Sequence, residues 1–341
     1  MATIRTPIVI AHRGASGYLP EHTLAAYALA IFQGADFVEP DLVASRDGSL
    51  IARHDNLLNL STDVAQRPEF AERRTTKTVD GVEVTGWFSE DFTLDEIRTL
   101  RATERIPETR PSNTRFDGQF QIPSFEEILE LIASMSRIVG RPIGVYPETK
   151  HPSYFAQLGL AMEPSLVKTL ADYGYLNREA RAFIQSFEVG NLRELRQLTD
   201  LPLVQLLWRE GQPYDVTLAG GSLTYDAMAT PAGLATIAEY ADAVGPEKNH
   251  FLIPLDADGR LDGANTTSFV ADAHAAGLLV HPYTFRAENA MLPTNLRSFG
   301  KPDDHGALLE ELSIFLAAGI DGFFIDQPEI GAQARDAAST A

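Results

Sequence analysis

A (β/α)8 TIM barrel with a small insertion after its second strand is the fold that this chain predicts. Three observations point there. Short apolar runs alternate with amphipathic stretches over most of the 341 residues, the order of a parallel sheet. Counting those runs gives about eight strands, the number a closed barrel of this class needs. Several runs also end in charged clusters, and loops at strand C-termini are where such barrels assemble their chemistry.

The elements follow in order. Residues 7–11 (PIVIA) are the first strand, and residues 23–32 are an Ala-rich helix stopped by Gly34. Residues 36–44 are the second strand. A turn at Arg46-Asp47-Gly48 leads to a hairpin-like return at 50–53. Residues 56–123 are polar and too long for a compact connection, so they read as a cap-like insertion within a single domain of residues 1–341. One helix is legible in that insertion, behind the capping box Thr93-x-x-Glu96. A second box, Ser124-x-x-Glu127, opens a helix with Phe125, Ile128, Leu129, Ile132 and Met135 on one face. Downstream, strands are expected at 142–146, 182–187, 201–208, 278–284 and 319–325, with the weakest at 243–245 together with 251–253. Helices are expected at 155–173, 189–198, 231–241, 266–276 and 307–317.

Composition narrows the function. There is no cysteine, which removes disulfides, thiolate metal sites and cysteine nucleophiles. A net charge of −19 disfavours nucleic acid and anionic membranes as partners. No apolar run reaches the length of a membrane span. The first residues lead straight into a strand without the pattern of a signal peptide. The chain as written is therefore expected in the cytoplasm, or in the periplasm or outside the cell if an export signal has been removed.

The charged clusters carry the chemistry. His12-Arg13-Gly14 ends the first strand, where an Arg fork matches phosphate oxygens. Glu39 and Asp41 are two apart on a strand and share a face. Two carboxylates on one face repel unless a cation joins them, and a hard divalent ion suits oxygen ligands. His54 and Asp55 end the returning run, giving a second imidazole for acid–base work near neutral pH. Glu148 and Lys150 repeat the two-residue spacing and add a third carboxylate and a second cation. Three carboxylates against a dication, Arg13 and Lys150 leave a positive site for an anionic ester. Phe187, Tyr283 and Phe285 sit at later strand ends, where they line a pocket or simply pack. Asp326 closes the last strand, within hydrogen-bonding reach of the site rim. The other histidines, His22 and His281 among them, are assigned surface or core roles.

Taken together, HRGASGYLPEHT, the E-x-D pair in VEPDL, ARHD, YPETK, HPYTFR and GFFIDQP resemble the glycerophosphodiester phosphodiesterases, over essentially the whole chain. The resemblance implies a TIM barrel that hydrolyses glycerophosphodiesters to sn-glycerol 3-phosphate and an alcohol, using one divalent cation, Ca2+ or Mg2+. It implies His12 and His54 as the acid–base pair, and Glu39, Asp41 and Glu148 as metal ligands. Arg13 and Lys150 would be the phosphate-binding cations. Pro40 stands where bacterial relatives usually have Gln, and Tyr283 where many have Trp. Two rival readings remain: a phospholipase D-like enzyme on lysolipids or sphingomyelin, which the absence of cysteine disfavours, and a non-catalytic binding protein on the same barrel. A sugar isomerase barrel would spread its ligands over more strands and has no use for paired cations.

Overall fold

The structure, a computed structural model, describes residues 6–339; the residues read for an export signal begin outside that range. Eight parallel strands form the barrel. They are Ile8–His12, residues 37–44, residues 144–149, Ile184–Ser186, Leu203–Leu207, Ala243–Pro246, Leu279–Val280 and Gly322–Ile325. Each of the first six pairs with the next in sequence, and the first also pairs with the last. Between the seventh and eighth strands, the Asp321 N–H donates to the Val280 carbonyl at 3.0 Å, and the Phe324 N–H to Pro282 at 3.1 Å. Those bonds close the ring.

Prolines shape two of the strands. Pro40 divides the second into Phe37–Glu39 and Asp41–Ala44, and Pro147 divides the third into Gly144–Val145 and Glu148–Thr149. Neither proline has an N–H to give to the ladder. Register nevertheless holds across both breaks, since Phe37 pairs with Gly144 and Asp41 with Glu148. The Glu148 N–H still reaches the Pro40 carbonyl at 2.9 Å. Pro40 therefore leaves the inward pair Glu39 and Asp41 on one face.

Inside the ring every strand contributes a side chain to one apolar plug: Ile10, Phe37, Tyr146, Phe183, Val204, Ala243, Leu279 and Phe324. Tyr146 stacks on Phe183 at 4.9 Å and meets Phe324 edge-on at 5.1 Å. This filled interior leaves chemistry only at the strand ends. A second, larger core lies between strands and helices. Both capping boxes form, at Thr93 and Ser124, and Phe125, Ile128, Leu129, Ile132 and Met135 are the buried face of helix Phe125–Val139.

Several expectations need correction. The stretch 251–253 is not strand, because Lys248–Phe251 is a short helix with Glu247 as its N-cap. The helix expected at 155–173 is two, Pro152–Gln157 and Glu163–Asp172, broken where Gly159 takes φ +74°. Residues 56–123 hold more than one helix. They include short 3-10 turns and a β-hairpin, Thr75–Val79 with Val82–Gly86. Its Asp80-Gly81 turn has both residues at positive φ, the two-residue hairpin signature. Charge density hid that signal in a segment read as irregular. The chain also continues past Asp326 into helix Pro328–Ala338, opened by a proline at its first position.

Ser124 accepts from the Glu127 N–H at 3.3 Å while Glu127 accepts from the Ser124 N–H at 2.7 Å. Ser124→Ala is expected to lower unfolding free energy by about 1 kcal/mol in urea titration, with Ser124→Asp close to wild type.

Candidate active site

Strand pairing alone assembles the acidic part of the site. His12 lies opposite Glu39, Asp41 opposite Glu148, and Glu148 opposite Gln185. Four adjacent strand ends thus aim polar side chains into one mouth. One oxygen from each of Glu39, Asp41 and Glu148 falls within 4.8 Å of the others, and all three residues are buried.

So close a packing of acids shifts their proton affinities. Burial, Asp41 and Glu148 push Glu39 well above the carboxylate range. Burial also lifts Glu148, to about 8, with Asp41 adding and Lys150 opposing. Asp41 is buried too, yet Lys150, Arg13 and His22 hold it well below its usual value. Three converging hard oxygen donors, two of them protonated only because of mutual repulsion and burial, suit a divalent cation.

Each acid is held in place. Glu39 accepts from the Arg13 backbone N–H at 2.8 Å and from Gln185 Nε2 at 3.1 Å. Asp41 Oδ2 contacts His22 Nε2 at 3.0 Å and Arg13 Nε at 3.2 Å. Glu148 accepts from Lys150 Nζ at 2.8 Å. The backbone bends to allow this. Arg13 and His22 both sit in the left-handed region, φ +60° and +59°, and the His22 N–H bonds the Arg13 carbonyl at 3.0 Å. Such conformations cost about 1–3 kcal/mol each and persist where a site requires them. Gly14, at φ +85°, has no room for a Cβ, which would fall 2.7 Å from Ala26 backbone.

The charge count from sequence left out Glu21, beside Arg13, and Arg105, beside Glu21. Glu21 bonds Arg13 NH1 at 2.7 Å, and Arg105 lies 3.4 Å from the other Glu21 oxygen. They offset one another, so the site stays positive once a dication is added.

Two imidazoles flank the acids. His12 Nδ1 is 2.6 Å from Asp326 Oδ1. Burial and then Arg13 depress His12 to about 4, whereas Arg286, Arg110 and His12 keep Asp326 ionised despite its burial. Ionised Asp326 accepts a hydrogen bond from Nδ1–H, leaving Nε2 of neutral His12 as an acceptor. His54 is likewise depressed well below its ordinary value by burial, Arg13 and Lys150. Its Nε2 is 3.4 Å from Lys150 Nζ and its Nδ1 is 3.0 Å from Asp55.

His12, Arg13, Glu39, His54, Glu148, Lys150 and Gln185 line a single cavity of about 990 Å³, and Phe187 and Tyr283 form part of its wall. Phe285 does not reach it; that ring is buried against Phe315 and Phe323. Sequence reasoning gave His22 a surface or core role and assigned none to Gln185, Glu21, Arg105, Arg110 or Arg286. Glu21 and His22 stood in plain view within the EHT of the opening motif, and Arg286 at the end of HPYTFR. Gln185, Arg105 and Arg110 act through partners far away in the chain.

The model of the glycerophosphoryl diester phosphodiesterase family matches residues 12–330. The chain belongs to that family. This phosphodiesterase is 36% identical over 334 residues to a glycerophosphodiester phosphodiesterase of Arabidopsis thaliana, covering 94% of this chain and 83% of the relative. It is 33% identical to one of Haemophilus influenzae, with 96% and 89% covered. Among solved structures it resembles a glycerophosphoryl diester phosphodiesterase of Silicibacter pomeroyi (TM-score 0.65, 22% identity, 99% and 95% covered). It also resembles an Oleispira antarctica phosphodiesterase solved with the product sn-glycerol-3-phosphate (TM-score 0.58, 21% identity, 97% of each chain). The phosphodiesterase is thus a hydrolase on a TIM barrel. No helix among its described residues is long and apolar enough to cross a membrane.

Because Glu39 and Glu148 hold protons near neutrality, cation capture should release them. Calorimetry of divalent-cation binding at pH 7 in buffers of different ionisation enthalpy is expected to show release of about one proton or more per ion. Affinity should rise with pH through the range near 8 in which Glu148 gives up its proton without the ion. Binding independent of both buffer and pH would contradict the raised carboxyls.

Proposed function

We propose that the chain cleaves glycerophosphodiesters, such as glycerophosphocholine and glycerophosphoethanolamine, into sn-glycerol 3-phosphate and the free alcohol. One divalent cation, Ca2+ or Mg2+, would be held by Glu39, Asp41 and Glu148. The observation that carries this reading is that two cations and two imidazoles face one cavity beside the acidic triad. The Oleispira relative bound to sn-glycerol-3-phosphate supports the product side.

When bound, the cation supplies Lewis acidity toward a phosphoryl oxygen. Arg13 and Lys150 fix the phosphate and take up the charge that grows in the transition state. Phe187 and Tyr283 border the carbon skeleton. His12, neutral and oriented by Asp326, accepts the proton of the attacking oxygen, which belongs to water or to the vicinal glycerol hydroxyl. His54 serves the leaving alcohol. Burial, then Arg13 and Lys150, hold down its proton affinity in the free enzyme, and a bound phosphate neutralises the two cations. Asp55 is then the charge that remains beside it, so substrate itself readies His54 to carry a proton.

Release of sn-glycerol 3-phosphate is expected to stop with EDTA and to return on adding Ca2+ or Mg2+. His12→Ala and His54→Ala should each lower kcat by about two to four orders of magnitude while the cation still binds. Wild-type turnover in either variant would remove that imidazole from the scheme.

A further inference from the structure

One wall of the cavity differs chemically from the rest. Phe187 stands at the centre of an aromatic group, edge-on to Trp208 (6.4 Å), Tyr225 (6.2 Å) and Tyr283 (6.1 Å). Trp208 and Tyr283 lie nearly parallel, 6.3 Å apart. All four line the cavity, and Lys150 Nζ is 5.8 Å from the Phe187 ring, so the phosphate-binding end is adjacent.

Behind these rings the charge is negative. Glu188 lines the cavity and is buried, held by the Ser153 hydroxyl and backbone N–H. The charged side chains that act on it are Asp215 and Asp80, both of its own sign, and burial lifts it to about 7. Glu247 also lines the cavity, with one oxygen engaged by the His250 N–H. The other cationic side chains lining the cavity have acidic neighbours already. Lys248 bonds Glu311 at 2.5 Å and Arg286 bonds Asp326 at 2.9 Å, while exposed Arg209, whose guanidinium lies 5.5 Å from the Trp208 ring, is 3.8 Å from Glu210. His151, the remaining basic group, is 2.6 Å from Asp80. The cavity is therefore dipolar, with cations at the barrel mouth and the acids Glu188 and Glu247 beside Tyr225 and Tyr283.

A pocket of ring faces backed by an uncompensated carboxylate attracts an ammonium group. We propose that Phe187, Trp208, Tyr225 and Tyr283, with Glu188 behind them, form the leaving-alcohol subsite and select alcohols that carry an ammonium charge. This rests on the phosphodiesterase reading above and adds the head-group class. A zwitterionic diester fits the dipole in both halves: its phosphate meets Arg13 and Lys150, and its ammonium meets the rings and Glu188.

The test compares glycerophosphocholine with its 3,3-dimethylbutyl isostere, in which carbon replaces the ammonium nitrogen at nearly constant shape. The expected result is kcat/KM about tenfold or more in favour of glycerophosphocholine, with that ratio falling about tenfold in Glu188→Gln. Trp208→Leu, at a site 40% exposed, should lower the same ratio and guards against misfolding of the buried variant. Equal turnover of both diesters by wild type, or a ratio unchanged in both variants, overturns the subsite. Hydrolysis of neither diester by metal-loaded wild type overturns the phosphodiesterase reading instead, which separates the two failures.

Discussion

Glu39, Asp41 and Glu148 are forced together where water is scarce, and like charges in that setting repel by several kcal/mol unless something positive intervenes. The rest of the site is arranged around that repulsion. Lys150 leans on Glu148, Arg13 on Asp41 and Glu21, and His22 on Asp41. Even so, burial and the neighbouring acids raise the proton affinity of Glu39 and Glu148 above the carboxylate range, so the local compensation is incomplete. An incompletely neutralised cluster of hard oxygens has affinity to spare for a divalent ion, and the cations that steady it are the ones an anionic ester needs.

The insertion extends this logic to the imidazoles. Each one sits against an aspartate, and each aspartate meets an arginine from the same stretch of the insertion. Arg110 bonds Asp326, which bonds His12; Arg105 bonds Asp55, which lies beside His54. Arg110 also reaches Glu288 and the Ser16 carbonyl. These arginines fix the aspartates and help to keep them ionised, after Arg286 at Asp326 and His54 at Asp55, which in turn sets imidazole orientation. Loops outside a barrel are free to vary, but this one is tied to both proposed proton carriers, through a buried ion pair at Asp326 and a half-buried one at Asp55. The hairpin tip is tied down as well, by Asp80 to His151.

Much of the site was legible because it follows from parity. Glu39 and Asp41, then Glu148 and Lys150, are two residues apart, and an extended strand sends such pairs to one face whatever surrounds it. That argument survived Pro40, since the register with the third strand is unbroken. Local rules also located both capping boxes. They failed where two rules competed. The Asp80-Gly81 turn had the right chemistry for a hairpin but lay in a segment whose charge density suggested irregular chain. The 251–253 run was apolar enough for strand, yet its residues are buried against Phe269 at the end of a short capped helix.

Amino-acid order alone determined the strand–helix alternation, the inward acidic pairs and the two imidazoles at strand ends, because these depend on periodicity within a few residues. The partners of those groups were decided only by the closed ring. Asp326 comes beside His12 across 314 residues, Gln185 beside Glu39 across 146, and Arg110 beside Asp326 across 216. No local periodicity encodes such separations, since closure of the sheet is what brings the first strand against the last. The dipolar character of the cavity has the same origin: Glu188 is one more surface-type residue until folding buries it without a cation.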